Sequence, residues 1–390
     1  MKFYLNKQFA QLALLVSVLC VLCASVVNST AQDFKTLKPG IEYAEVTREI
    51  GGLAVNMNLL RLDLKKVRLD VHHALDSAIG VETTSSIARR HSAFAAINAG
   101  FFRLDKSQFT GDAAGMLMVD GNFLSEAASE RIQLLINNKP NRTDTVITRT
   151  VLSQALRFGN ESLKIEGANR ERKKDDLVIY TPAFGRTTLT AGDGVEIVVT
   201  RGNVASVNRD LGNSVIPPNG FVVSASGSFR ESLAAAAKKV STVTLTNTWA
   251  GLPAEFVKDR TKLDVVAGVP QLIKNGRVDI TWEQEKSSKS FVETRHPRTA
   301  VAKLTDGKFL MITVDGRTEA SGGIGLNDLA AYLLELGATD AMNLDGGGST
   351  TMFVGGKVVN HPSDKEGERK VSDAILVTPR THRAKRINSL

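Results

Sequence analysis

The sequence predicts an α+β fold, with a mixed β-sheet carrying packed helices and a β-rich middle region. Three observations predict it. Apolar runs of strand length recur along the chain, amphipathic helical stretches are few, and one strand, helix, strand unit near the C-terminal end carries a glycine-rich segment.

Residues 1–31 have the pattern of an export signal. Lys2 and Lys7 give a positive start, residues 12–27 are apolar but short for a membrane span, and Ser29-Thr30-Ala31 offers small residues for cleavage. The mature chain is expected to begin at Gln32 and to be secreted or periplasmic, with no stable membrane insertion once the signal is cut. Cys20 and Cys23 both fall inside the signal, behind the bulky Leu19 and Leu22, which disfavours lipidation. A mature chain without cysteine has neither disulfides nor thiolate chemistry, so its stability must come from core burial.

Residues 32–124 read as the N-terminal part of a catalytic domain. Strands are expected at 53–60 and 67–73, where apolar and polar residues alternate, with Gly51-Gly52 as a turn and a hairpin in this zone. Residues 83–91 read as a helix behind a Thr/Ser cap, followed by an apolar run that breaks at Asn98-Ala99-Gly100-Phe101-Phe102. Within 125–264, a β-rich middle region or insertion, short strands alternate with turn signals, and residues 228–240 form its one helix.

Residues 265–379 read as the C-terminal catalytic part, ahead of a basic tail at 380–390. The run at 308–314 reads as a strand buried on both faces, Asn327 as the cap of a helix that Gly337 ends, and 350–354 as a further strand. The net charge is +8, with local concentrations at 170–174 (RERKK) and in the tail. RERKK runs into Asp175 and Asp176 and reads as a solvated turn. No aromatic residues interleave with these charges, so nucleic acid is not an expected partner, whereas an anionic substrate is favoured.

The chemistry concentrates at Asn343-Leu344-Asp345-Gly346-Gly347-Gly348-Ser349. Three glycines let backbone N–H groups converge on an anion, while Asp345 and Ser349 add a carboxylate and a hydroxyl at the rim. The same residues also suit a tight turn between strands. Asp315-Gly316-Arg317 closes the buried strand. If the strands ending at Asp315 and Asp345 were parallel neighbours, the two carboxylates needed for glycosyl transfer would come together. Arg295 and Arg298 offer guanidiniums for a phosphodiester, with surface arginines as the alternative reading. His72 and His73 alternate on a strand and read as packing or surface residues rather than metal ligands.

With these motifs the chain resembles the phosphodiester glycosidase family. The resemblance rests on residues 98–102, 296–300, 314–317, 336–338, 343–350 and 368–374, in one order along the chain. It implies a site for a glycosyl-phosphate diester or phosphoglycan, built from Asn98, Arg298, Asp315, Asn343, Asp345 and Ser349, with Arg317 and Arg369 as further members. Within it, Arg298, Ser349 and the backbone of Gly346, Gly347 and Gly348 are assigned to phosphate, Asn98 and Asn343 to sugar hydroxyls, and Asp315 and Asp345 to acid, base or nucleophile duties. No cofactor is required, although one Ca²⁺ or Mg²⁺ held by Asp315 or Asp345 is compatible with the sequence. The rival readings are a metal-dependent phosphodiesterase that cleaves P–O, and a non-catalytic envelope protein that binds phosphorylated glycans.

Overall fold

A computed structural model describes residues 32–126 and 130–380. The signal expected at 1–31 and the tail beyond Arg380 lie outside the described residues. Lys35 onward forms one compact unit.

The α+β expectation is corrected: strands make up 45% of the structure and helices 12%, with five helices among the described residues. Among the described strand ladders, only Gly167–Ala168 with Leu177–Tyr180 is parallel. The misreading has a local cause. Phe309–Val314 and Ala338–Asn343 do flank the helix Leu326–Glu335, but Arg298–Leu304 lies between them and pairs antiparallel with both. The connection therefore skips one strand of an antiparallel sheet instead of joining parallel neighbours.

That sheet has eight strands. Its centre is Leu53–Leu62, Phe309–Val314, Arg298–Leu304 and Ala338–Asn343. The hairpin joins Ile41–Ile50 to Leu53–Leu62 around Gly51 and Gly52, both at positive φ. A second sheet contains Val67–His73, Asp373–Pro379, Ala95–Asn98 and Met352–Val354. Leu60, Met311 and Met342 from the first sheet share one core with Leu69, Ile97 and Ile375 from the second, and with Leu134 and Ile136 from a third sheet. Burying these faces provides the dominant stabilising term, at roughly 25 cal/mol per Å² of apolar surface.

The helices are few and short. Thr84–Arg90 is capped by Thr83, whose hydroxyl accepts from the Ser86 N–H, and it packs Ile87 and Ala88 against Ala96 and Leu376. Leu326–Glu335 starts behind Gly325 without a side-chain cap, so Asn327 is inside the helix rather than its cap. In the middle region, Phe229–Lys239 turns Leu233 and Ala236 onto a separate core with Ile179, Ile197 and Val223. RERKK is solvated at Glu171, Lys173 and Lys174 but not at its two arginines. Arg170 is nearly buried between Glu126 and Asp176, and Arg172 is buried beside Asp193, so acidic partners draw both inward.

Candidate active site

Register brings the motif loops to one edge of the central sheet. Arg298 pairs with Val314, so the chain leaves for Asp315 beside Arg298, while Ala300 pairs with Asn343 and sends the glycine loop out at the same edge. The second sheet ends here too. Ile97 pairs with Met352, Asn98 with Ala374, and Asp345 N–H donates to the Ala99 carbonyl.

The glycine loop lies on the segment that carries Arg298. Gly347 N–H donates to the Pro297 carbonyl at 2.9 Å, and a Cβ at Gly346 would meet that carbonyl oxygen at 2.7 Å, so the close approach requires glycine. The Arg317 guanidinium lies against Gly347, and its Nη2 is 3.2 Å from His296 Nδ1. Arg369 forms a two-pronged ion pair with Asp364 that fills the space where a Gly348 side chain would be.

Arg298 is 1% exposed, stacks on Phe291, and donates to the carbonyls of Phe291, Thr294 and Ile324. Burial, with the charge of Arg317 beside it, lowers its pKa to about 10, and no carboxylate among the described residues forms an ion pair with it. A buried cation without an anionic partner is costly in the free protein and favours an anionic ligand.

Both aspartates are pushed up by burial. The Asp345 carboxyl rises to about 6 even though its Oδ1 accepts from Gly346 N–H. For Asp315, burial outweighs the donors Asn360 Nδ2 and His361 N–H, both directed at Oδ1. Asn360 also donates to the Thr350 carbonyl and accepts from Met352 N–H, so one amide links the Asp315 turn to the segment after the glycine loop.

The two asparagines differ in how much of each side chain is engaged. Asn98 is engaged through both its amide nitrogen and its oxygen: Nδ2 donates to the Asp345 carbonyl, and Oδ1 accepts from Thr299 Oγ1 and Thr351 N–H. Asn343 Nδ2 donates to Val269 and Leu344, leaving its buried Oδ1 without a partner, as are the buried hydroxyls of Thr350 and Thr351. Ser349 Oγ is buried beside the Asp345 carboxylate without a hydrogen bond of good geometry. Unsatisfied buried oxygens and hydroxyls in one loop are costly in isolation.

Sequence reasoning did not single out Phe291, Asn360, His361 or Asp364. Phe291 lies in the short helix Lys289–Glu293, and the other three come from loops in which only the turn signal of Asn360-His361-Pro362 marks any of them. The groups that donate to Asp315 and Asp345 are two backbone N–H groups and the Asn360 amide, a set that does not suit the six or more oxygens that Ca²⁺ prefers.

Residues 193–378 match the model of the phosphodiester glycosidase family. The matched span holds every site residue named above except Asn98. A relative from Bos taurus, N-acetylglucosamine-1-phosphodiester alpha-N-acetylglucosaminidase, is 36% identical over 111 residues, 26% of this chain and 21% of its own length. The SPbeta prophage-derived protein YomE of Bacillus subtilis is 40% identical over 87 residues, covering 22% of this chain and 13% of its own length. The chain thus spans 21% and 13% of these relatives' lengths. Among solved structures, a Synechocystis protein shares the fold with a TM-score of 0.75 at 24% identity, covering 90% of this chain and 64% of its own. A candidate exported protein from Burkholderia pseudomallei gives a TM-score of 0.74 at 25% identity, with coverages of 84% and 75%. No helix among the described residues is long and apolar enough to cross a membrane.

Proposed function

We propose that the chain is an exported hydrolase that cleaves the anomeric C–O bond of sugar 1-phosphodiesters, releasing a free sugar and a phosphomonoester. The observation that carries this reading is Arg298, a buried guanidinium with no carboxylate partner, packed beneath a glycine loop that also presents Asp345. The bovine relative's name supports the bond type.

In this reading Arg298, Arg317 and the Gly346 to Gly348 backbone hold the phosphate, and the Ser349, Thr350 and Thr351 hydroxyls complete its cradle. Asn343 Oδ1 accepts from a sugar hydroxyl. Asn98 holds Asp345 through the backbone and is a positioning residue, since its side chain is already engaged. A phosphate leaving group needs little protonation, so Asp345 acts as carboxylate, either as nucleophile or as base toward water, and Asp315 takes the remaining acid or base duty. Glycosyl-phosphate diesters of envelope or extracellular glycans fit an exported enzyme.

The test is hydrolysis of sugar 1-phosphodiesters, UDP-N-acetylglucosamine among them, in water labelled with oxygen-18. Label on the anomeric oxygen of the freed sugar is the expected outcome. Label on phosphate would instead assign P–O cleavage.

A further inference from the structure

We propose a second sugar subsite beside the phosphate cradle, a cavity in which Asp112 and Arg131 hold the hydroxyls of a neutral sugar esterified to the far side of the scissile phosphate. The inference rests on the glycosidase reading above and extends it to the leaving half of the substrate.

The cavity measures about 580 Å³, within the roughly 300–1,000 Å³ common for small-molecule sites. Ala113, Ala114 and Gly115 line it and lie against the segment that follows Asn98. Phe102 forms a bridge with Ala113, and Ala114 N–H donates to the Phe101 carbonyl at 2.7 Å. Three ring contacts lead from there to the cradle. The Arg131 guanidinium lies 5.9 Å from the Phe101 ring centre, Phe101 meets Phe291 edge-on at 6.1 Å, and Arg298 stacks on Phe291 at 4.8 Å. One aromatic pair therefore separates the cavity from the phosphate-binding guanidinium.

Most of the charges around the cavity are already engaged. Arg103 is held by Asp105 and Glu171, Arg170 by Glu126 and Asp176, and Glu166 by Lys164. Asp112, Arg131 and the exposed Lys173 remain. Among the described residues the half-buried Asp112 carboxylate has neither a hydrogen bond nor an ion pair. Arg131 donates through Nη1 to the Ala114 carbonyl, forms no ion pair among the described residues, and makes no other hydrogen bond there.

An acceptor and a fork of donors, opposite in charge, thus face one cavity. A second phosphate would meet Asp112 with Glu126 and Glu171 beside it. A sugar residue is neutral, and its adjacent hydroxyls can donate to one group and accept from the other. Burial and the nearby Glu126 charge raise the Asp112 carboxyl to about 7, and a hydroxyl suits it with or without its proton.

The test uses the mature full chain and two diesters of N-acetylglucosamine 1-phosphate with the same charge and the same scissile bond. One is esterified to methanol, the other to the 6-hydroxyl of glucose. The parent is expected to favour the glucose ester about tenfold or more in kcat/KM and in calorimetric affinity, and Asp112→Ala and Arg131→Ala to bring that ratio toward one. Asp112→Ala removes no side-chain hydrogen bond or ion pair among the described residues, so it serves if Arg131→Ala, which gives up the Ala114 contact, fails to fold. Equal treatment of the two esters by the parent, or an undiminished preference in folded Asp112→Ala, would overturn the subsite. Hydrolysis of neither ester, with tighter binding of the glucose ester that Asp112→Ala abolishes, would reject the glycosidase reading and leave the sugar site standing.

Discussion

Asn98 donates through Nδ2 to the main-chain carbonyl of Asp345 at 2.7 Å, across 247 positions of sequence. The same amide accepts from Thr299 and Thr351, so it joins three segments at the site. Asn98→Ala leaves three polar groups without partners. A loss of about 2–3 kcal/mol in urea unfolding is expected, together with a fall in kcat that exceeds any change in KM.

Removing the proposed carboxylate separates catalysis from binding. Asp345→Asn is expected to reduce kcat by about 10²–10⁴-fold, while calorimetry still detects a non-hydrolysable sugar phosphodiester. Full activity in the variant would remove Asp345 from the mechanism.

The pH profile follows from the same group. Burial raises Asp345 from 3.8 to about 6. Between those values the folded chain keeps a proton that the unfolded chain has released, so this group makes stability fall as pH rises through that window. Activity moves the other way, with kcat/KM rising through about pH 6 as the carboxylate forms. In Asp345→Asn the stability loss between pH 4 and 6 should shrink, which pH-resolved thermal unfolding measures.

Arg298→Lys keeps the charge but loses the planar fork that reaches the Phe291, Thr294 and Ile324 carbonyls. Stability should fall by about 1–3 kcal/mol. The value of kcat/KM should fall at least about tenfold, mainly through weaker phosphate binding, as steady-state kinetics on one substrate will read.

Gly346→Ala directs a methyl group at the Pro297 carbonyl, which is backbone and cannot swing away. Pushing apart the loops that carry Arg298 and Asp345 should cost about 1–3 kcal/mol and lower activity by more than the thermal shift explains. Unchanged kinetics would mean that the close approach of these loops is not needed for turnover.

Local elements were legible in the sequence, whereas their partners were not. Val67–His73 and the helices Thr84–Arg90 and Phe229–Lys239 follow the residues that apolar spacing and caps predict. The α+β expectation failed because periodicity in Phe309–Val314 and Ala338–Asn343 says nothing of Arg298–Leu304 inserting between them. The motif residues were legible as types: glycines for close approach, aspartates and arginines for charge. Engagement was not. Asn98 and Asn343 look alike in sequence, yet one amide uses both its nitrogen and its oxygen and the other leaves Oδ1 without a partner. His72 met His91 only through helix packing.

The pairing of Leu53–Leu62 with Phe309–Val314 also bears on how the chain is born. Leu62 cannot find Phe309, nor Met57 find Val314, until some 250 further residues have been synthesised. The central sheet is therefore built from contacts of long sequence separation, whose closure entropy must be met before cooperative burial rewards it. Such topologies fold slowly and hold unpaired strand edges open in the meantime. In the exported reading proposed above, a chain that cannot complete its central sheet until its second half emerges would suit passage through a narrow channel, and the interval after release would be its period of greatest exposure to proteases and aggregation.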